Sequence, residues 1–247
     1  MLNSEEFVAW RKKNSRVLEN DPNFQSISLQ WLNVAAEKGY SYMFQWMGEP
    51  IIQFPSDILL IQEAVYRSKA NKIVEVGIAR GGMTLFLASL LKLLDKSENS
   101  MVIGVDIQLS SHTLKAIENS SLKSNVKLVE GDSATRSTLD KVLKYIDDDD
   151  RVLVILDSNH AKNHVYAEMT LFGDVVSKNS FLIVMDTAIE YLESESIGEN
   201  KPWSRNNSPK SAIDQYFSNF PEKFSIDEDL NSRSFPGAAY GGFLRKN

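Results

Sequence analysis

Glu75, Asp106, Asp132, Asp157 and Asp186 recur along the chain, each at or just beyond the end of a short apolar run rich in β-branched residues. An acid at one strand end is weak evidence of a site, because Asp also caps helices and favours turns. In an open α/β sheet, however, the carboxyl ends of parallel strands converge on one crevice, so acids at successive strand ends can share a ligand. Asp157-Ser158-Asn159-His160 adds an imidazole three residues after one of these acids. An unperturbed imidazole has a pKa of about 6.5 and is mostly neutral at pH 7, which makes His160 the best candidate to take a proton from a hydroxyl. Asp157 could orient that ring or hold a metal beside it. The plainer alternative is that Asp157 caps the following helix and His160 bonds backbone. His160 and His164 lie four apart, which can put both on one helix face, but the glutamate of a zinc-protease motif is absent between them. Zinc is therefore not expected, and His164 is read as packed or at the surface.

These groups need a scaffold, and one stretch supplies its centre. Lys72-Ile73-Val74-Glu75-Val76 reads as a buried strand, Gly77-Ile78-Ala79-Arg80-Gly81-Gly82 as a glycine-bearing turn, and Met83 to Leu91 as a helix. Strand, glycine turn and helix N-terminus together bring backbone N–H groups against a ligand with no Cβ in the way. Two cofactors suit that geometry. Gly77-x-Ala79-x-x-Gly82 is a relaxed dinucleotide fingerprint, with Asp106 near the place of a ribose-binding acid. S-adenosylmethionine (SAM) accounts for more of the residues. Glu75 suits a charged amino-acid end, Asp106 the single ribose, and Asp132 or Ser133 the adenine edge; a pyrophosphate would not welcome Glu75 so close upstream. The cofactor-binding set is accordingly Glu75, Gly77, Ala79, Gly81, Gly82, Asp106, Asp132 and Ser133.

The flanking elements alternate. Strands are expected at Met101–Asp106, Val126–Glu130, Arg151–Leu156 and Phe181–Met185, with helices over His112–Asn119, Thr138–Ile146 and Lys162–Val176. Such alternation implies a mostly parallel sheet with helices on both faces. Asp147 to Asp150 reads as a solvated acidic turn. Residues 1–55 form an N-terminal extension: a helix from Ser4 to about Glu19, a second from Ser28 to Glu37 stopped by Gly39, then an irregular or short-strand segment to Pro55. The extension is expected to pack, to make a subunit contact or to cover a substrate. Residues 56–247 form the main domain, opened by a helix capped by Ser56 or Asp57 and running to about Lys69. Within it, about 190–209 is a polar loop or lid, followed by a helix over Ser211–Asn219 and strands at Phe224–Asp227 and Gly241–Arg245.

The 247 residues carry a net charge of −6 and no cysteine. The negative balance argues against nucleic acid as a partner, and the lack of cysteine excludes disulfides and thiolate metal sites. The N-terminus shows no basic-then-apolar leader, and no apolar run is long enough to span a bilayer. A soluble, cytoplasmic protein is expected.

Several motifs occur in order: Trp46-Met47-Gly48-Glu49-Pro50-Ile51-Ile52-Gln53 with Pro55 and Asp57, then Val74 through Gly82, and Ile103-Gly104-Val105-Asp106-Ile107. Leu156 through His160, Asp186-Thr187, Pro202-Trp203 and Asn207-Ser208-Pro209-Lys210-Ser211-Ala212 follow. On these, from about Tyr42 to Arg245, the chain resembles the cephalosporin hydroxylase / rhamnosyl O-methyltransferase family. The resemblance implies a Rossmann-like class I SAM-dependent methyltransferase. It would act on a hydroxyl of a sugar (nucleotide sugar, glycan or glycosylated natural product), often with Mg²⁺ and often as a homo-oligomer. It also implies that Asp157 and Asp186 are metal ligands and that His160 is the general base. Met185 departs from the pattern, standing where metal-dependent relatives have a Glu; a thioether is a poor ligand for a hard cation. Glu190 could stand in for it. Arg80 and Lys210 could contact an anionic acceptor or be solvated, and Trp203 could stack on a sugar ring or pack. Two other readings stand beside this one: an NAD-dependent oxidoreductase, and a non-catalytic SAM-binding partner subunit, at which Met185 hints.

Overall fold

Strands made almost entirely of Val, Ile and Leu are stable only where both sheet faces are covered, and the chain provides the covering helices. A computed structural model gives the fold and describes residues 3–94, 99–197 and 201–247. Helices α1 (Ser4–Glu19) and α2 (Pro22–Glu37) lead into a small hairpin of β1 (Gln45–Trp46) and β2 (Glu49–Pro50). Next come α3 (Pro55–Ser68), β3 (Lys72–Val76), α4 (Gly82–Leu94), β4 (Met101–Asp106), α5 (Ser111–Asn119) and β5 (Val126–Glu130). They are followed by α6 (Arg136–Leu143), β6 (Val152–Leu156), α7 (Lys162–Phe172) and β7 (Phe181–Val184). The chain closes with α8 (Ser194–Ile197), α9 (Pro209–Asn219), β8 (Phe224–Ile226), α10 (Glu228–Asn231) and β9 (Phe243–Lys246).

Seven strands form one sheet in the order β5-β4-β3-β6-β7-β9-β8. The first five are parallel, and β9 runs antiparallel to both of its neighbours. Side-chain alternation divides each strand between two cores. Ile73, Leu153, Ile155 and Ile183 pack with α2, α3 and α4; Val74, Val76, Val154 and Leu156 pack with α6, α7 and α9. Each such side chain contributes about 1.5–3 kcal/mol by leaving water. From β3 the chain steps outward to β5, then crosses back to β6 on the other side of β3. That reversal is the switch point at which doubly wound sheets open a crevice, and it places the ends of β3 and β6 side by side.

Element ends differ from the expected ones where a cap or a distant contact decides. Helix α2 begins at Pro22, not Ser28, because Asp21 accepts the N–H groups of Asn23 and Phe24 and Pro22 presets the first turn. Neither Ser56 nor Asp57 caps α3: Ser56 Oγ donates to the Pro236 carbonyl and Asp57 Oδ2 accepts the Ala238 N–H. Helices α6 and α7 stop at Leu143 and Phe172, short of Ile146 and Val176. The acidic turn is not simply solvated, since Asp150 lies 3.7 Å from Lys72 Nζ with both side chains buried. The loop at 190–209 is partly ordered by α8 and a Ser204–Asn207 bridge; Gly198, Glu199 and Asn200 within it lie outside the described residues. Among the described residues, no helix is long and apolar enough to cross a membrane.

Gly82 is needed for a reason other than ligand approach. A Cβ there would collide with the Pro50 carbonyl of the hairpin that packs over α4. Gly82→Ala is expected to lower stability by roughly 1–3 kcal/mol, the usual cost of overpacking, seen as a lower denaturant midpoint. A wild-type midpoint would contradict the close approach.

Candidate active site

Strand β3 delivers Glu75 to the α4 side of the sheet. Its side chain is 1% exposed, accepts a hydrogen bond from Thr84 Oγ1 at 2.6 Å, and lines the crevice. Burial, opposed by the Thr84 bond and assisted by nearby Asp106, pushes its pKa up to about 8. Gly77 N–H donates to Val105 O and Asp157 N–H to Val76 O, so sheet bonding continues past the strand ends. Gly77 has φ +90°, and a Cβ on it would collide with the Asp157 carbonyl; both conditions demand glycine. Asp106 reaches across from β4, where its Oδ2 accepts the N–H groups of Ile78 and Ala79 at 3.1 and 3.3 Å. This acid therefore shapes the glycine turn as well as lining the cavity.

Asp157 at the end of β6, His160 in the next turn and Asp186 beyond β7 present ligand atoms all within 4.8 Å of one another. His160 Nδ1 lies 3.5 Å from Asp186 Oδ2, and Gln53 Nε2 donates to Asp157 Oδ2 at 2.7 Å. Burial first, then the adjacent Asp186 carboxyl, raises Asp157 well above the ordinary carboxylate range. Two carboxyls this close favour a shared proton or an intervening cation. The two carboxylates are oxygen donors of the kind that suit Mg²⁺ or Mn²⁺, with His160 beside them. Met185 adds no ligand, because its side chain is buried in the core beneath α3 and α4. Glu190 does not replace it: its carboxylate accepts the Asn206 N–H at 3.1 and 3.2 Å and the Ser208 hydroxyl, tying it to the end of the 190–209 loop. Lys210 is engaged with Asp214 at 2.6 Å. Arg80 stays on the cavity rim, its side chain without a hydrogen bond or ion pair among the described residues. Trp203 meets the His160 ring edge-on, with centroids 4.6 Å apart.

Two cavities of about 360 Å³ each meet at this point, a size that suits small ligands. The first is lined by Glu75, His160, Asp186 and Arg80, with Leu32 and Ala36 of α2 and Ile197 of α8 on its walls. The second runs past Asp106, Ile107, Asp132, Ser133 and His164. They share Gly77, Ala79, Asp157, Ser158 and Trp203. Ile52, Ala79 and Asp186 on the first cavity hold φ of 47°, 43° and 54°. Left-handed backbone is unfavourable for side-chain-bearing residues, above all for Ile, and such strain gathers at functional sites.

The residues expected from the sequence are thus brought to one edge, with three exceptions in role. Gly81 faces Thr113 and Ile117, and Gly82 faces the hairpin; neither lines a cavity. Ser133 lines the second cavity, but its hydroxyl donates to Glu168 Oε1. Sequence reasoning missed Gln53, Thr84 and Glu168, and it read His164 as incidental. His164 and Glu168 are four apart on α7, and that spacing was the available signal.

The family described as Rhamnosyl O-methyltransferase/CmcI matches residues 38–247. A rhamnosyl O-methyltransferase of Mycobacterium bovis (strain BCG / Pasteur 1173P2) is 26% identical over 205 residues, covering 82% of this chain and 78% of its own. Among solved structures, the apo form of CmcI superposes with a TM-score of 0.62 at 20% identity, over 83% of this chain and 76% of its own. A form of CmcI with Mg and SAM gives 0.58 at 17% identity, over 83% and 77%. At these identities the structural likeness establishes the α/β Rossmann-like fold.

Proposed function

The chain belongs to the Rhamnosyl O-methyltransferase/CmcI family and is a SAM-dependent O-methyltransferase; we propose that it methylates a hydroxyl of a sugar. The observation that carries this reading is the junction of the two cavities. Asp157 opens on both, whereas His160 and Asp186 open only on the cavity walled by α2 and the lid. A cofactor with its adenine beside Asp132 and Ser133, its ribose at Asp106 and its amino-acid end at Glu75 would carry its reactive centre past that junction. The rhamnosyl acceptor named for the mycobacterial relative supports a sugar as acceptor here. The buried Glu75 carboxyl beside the turn favours an amino-acid end over a pyrophosphate, and the nicotinamide alternative gives way to the family.

SAM supplies a methyl group on a sulfonium, so that transfer breaks a sulfur–carbon bond and forms an oxygen–carbon bond in line. The chain must hold the acceptor oxygen on that line and take its proton. With Nδ1 turned to Asp186, His160 has Nε2 left to receive the proton. Asp157 and Asp186 would hold a divalent cation, which lowers the pKa of a bound hydroxyl; the Mg found with SAM in CmcI favours this. Leu32, Ala36 and Ile197 narrow the acceptor cavity, so the extension at residues 1–55 serves as its cover.

Two measurements test the reading. Asp106→Ala should weaken binding of S-adenosylhomocysteine (SAH) about ten-fold or more in calorimetry, since charge-assisted hydrogen bonds contribute about 1.5–3 kcal/mol; unchanged affinity would overturn the ribose assignment. Labelled methyl from SAM should appear on rhamnosides or related sugars, and a broad sugar panel left unlabelled would overturn the acceptor class.

A further inference from the structure

Glu168 is fully buried on α7, and one of its oxygens gathers three groups. Its Oε1 accepts from Ser133 Oγ at 2.5 Å and Ser158 Oγ at 2.5 Å, and lies 3.1 Å from His164 Nε2. Its Oε2 is buried with no hydrogen-bond partner. Ser133 follows β5 and Ser158 follows β6, so one carboxyl ties together the two loops that flank the second cavity. A buried carboxyl oxygen without a partner is costly, and here the cost accompanies a fixed arrangement of a ring and two hydroxyls.

That arrangement settles the histidine. With Nε2 against a carboxylate, the hydrogen sits on Nε2, and Nδ1 is the remaining ring nitrogen. Among the described residues Nδ1 has no partner, while His164 lines the cavity alongside Asp106, Ile107, Asp132 and Ser133. The chemistry around that space fits a purine. Asp106 suits ribose hydroxyls, Ile107 offers an apolar face, Asp132 can accept from an exocyclic amine, and a further polar group is wanted at the edge of the base.

We propose that His164 is a cofactor-binding residue whose Nδ1 hydrogen-bonds the adenine of SAM, and that Glu168 is the positioning residue that aims it. The inference rests on the cofactor placement given above. A neutral ring would accept from the exocyclic amine, and a charged one would donate to a ring nitrogen of the base. The Glu168 hydrogen bond, with Asp132 facing the ring from the β5 loop, raises the pKa of His164 against its burial and favours the charged form. Glu168→Gln keeps an acceptor at Oε1 and a similar shape, while placing an amide where the partnerless oxygen was.

The test is calorimetric binding of SAH, of its inosine analogue (exocyclic amine replaced by oxygen) and of its 7-deaza-adenosyl analogue. Wild type should discriminate against at least one analogue by about ten-fold, the worth of one good hydrogen bond. His164→Leu should bind SAH about ten-fold more weakly and lose that discrimination, with Glu168→Gln intermediate at an unchanged melting temperature. Equal weakening of all three ligands would reduce His164 to a structural role, and either full wild-type affinity in His164→Leu or no discrimination by wild type would remove the contact; each overturns the proposal. A wild-type protein that bound no SAH would overturn the cofactor placement itself.

Discussion

Asp157→Asn is expected to lower methyl transfer by about 10²–10⁴-fold, the range for losing a group that assists proton transfer, while SAH affinity stays within a few-fold. The asparagine is isosteric and its Oδ1 can still accept from Gln53 Nε2, the bond Asp157 makes at 2.7 Å, so the loop after β6 should keep its place. What is lost is the ionisable carboxyl that lies within 4.8 Å of the Asp186 and His160 ligand atoms. In the wild type, EDTA should depress turnover and Mg²⁺ restore it; in Asp157→Asn neither should matter. Steady-state kinetics with the cofactor saturating provides the measurement. Turnover close to wild type in the variant would remove Asp157 from the reacting centre, and turnover untouched by EDTA would remove the cation alone.

The second large effect is on stability, and it runs opposite to the usual acid response. Glu75 moves from 4.5 in the unfolded chain to about 8 in the fold, and Asp57 from 3.8 to about 7. Burial is the main cause for both; the Thr84 bond opposes it at Glu75, and the backbone N–H groups of Ala238 and Ala239 oppose it at Asp57. Between those values the fold keeps protons that the unfolded chain has released. The contribution is therefore full below about pH 4 and is lost as pH rises through 7 to 8. A shift of this size at Glu75 corresponds to on the order of 5 kcal/mol. The free enzyme should thus lose stability from about pH 5 to pH 8 in denaturant titrations, and Glu75→Gln should flatten much of that slope. A cofactor ammonium beside Glu75 would favour its ionised form, so SAM binding near pH 7 should release a proton. An identical pH slope in Glu75→Gln would show that the carboxyl is not held as described.

Much of this was legible in the sequence because it depends on local pattern. Runs such as Val152 to Leu156 fix strands, and an acid following each run fixes which sheet edge carries the chemistry. Glu75, Asp106, Asp157 and Asp186 could be named from that alone, and His160 from its place after Asp157 together with the family resemblance. What stayed hidden depends on partners far along the chain. Gln53 acquires its role from Asp157, 104 residues away, and Gly82 from the hairpin carbonyl at Pro50. Asp57 looks like a helix cap until Ala238 arrives to use its carboxylate. Glu168 looks like a surface charge on an amphipathic helix, and only the fold shows that two strand-end serines and His164 close over it. Met185 reads from the sequence as a missing ligand, whereas packing makes it part of the core beneath α3 and α4.

The central claim is that Asp157, His160 and Asp186 face the reactive centre of a bound methyl donor. A crystal structure of the SAH complex tests it most directly. The account predicts the ribose hydroxyls at Asp106, the amino-acid end at Glu75, and the sulfur at the junction of the two cavities, turned toward His160. SAH bound with its sulfur away from that cluster, or with its amino-acid end remote from Glu75, would contradict it.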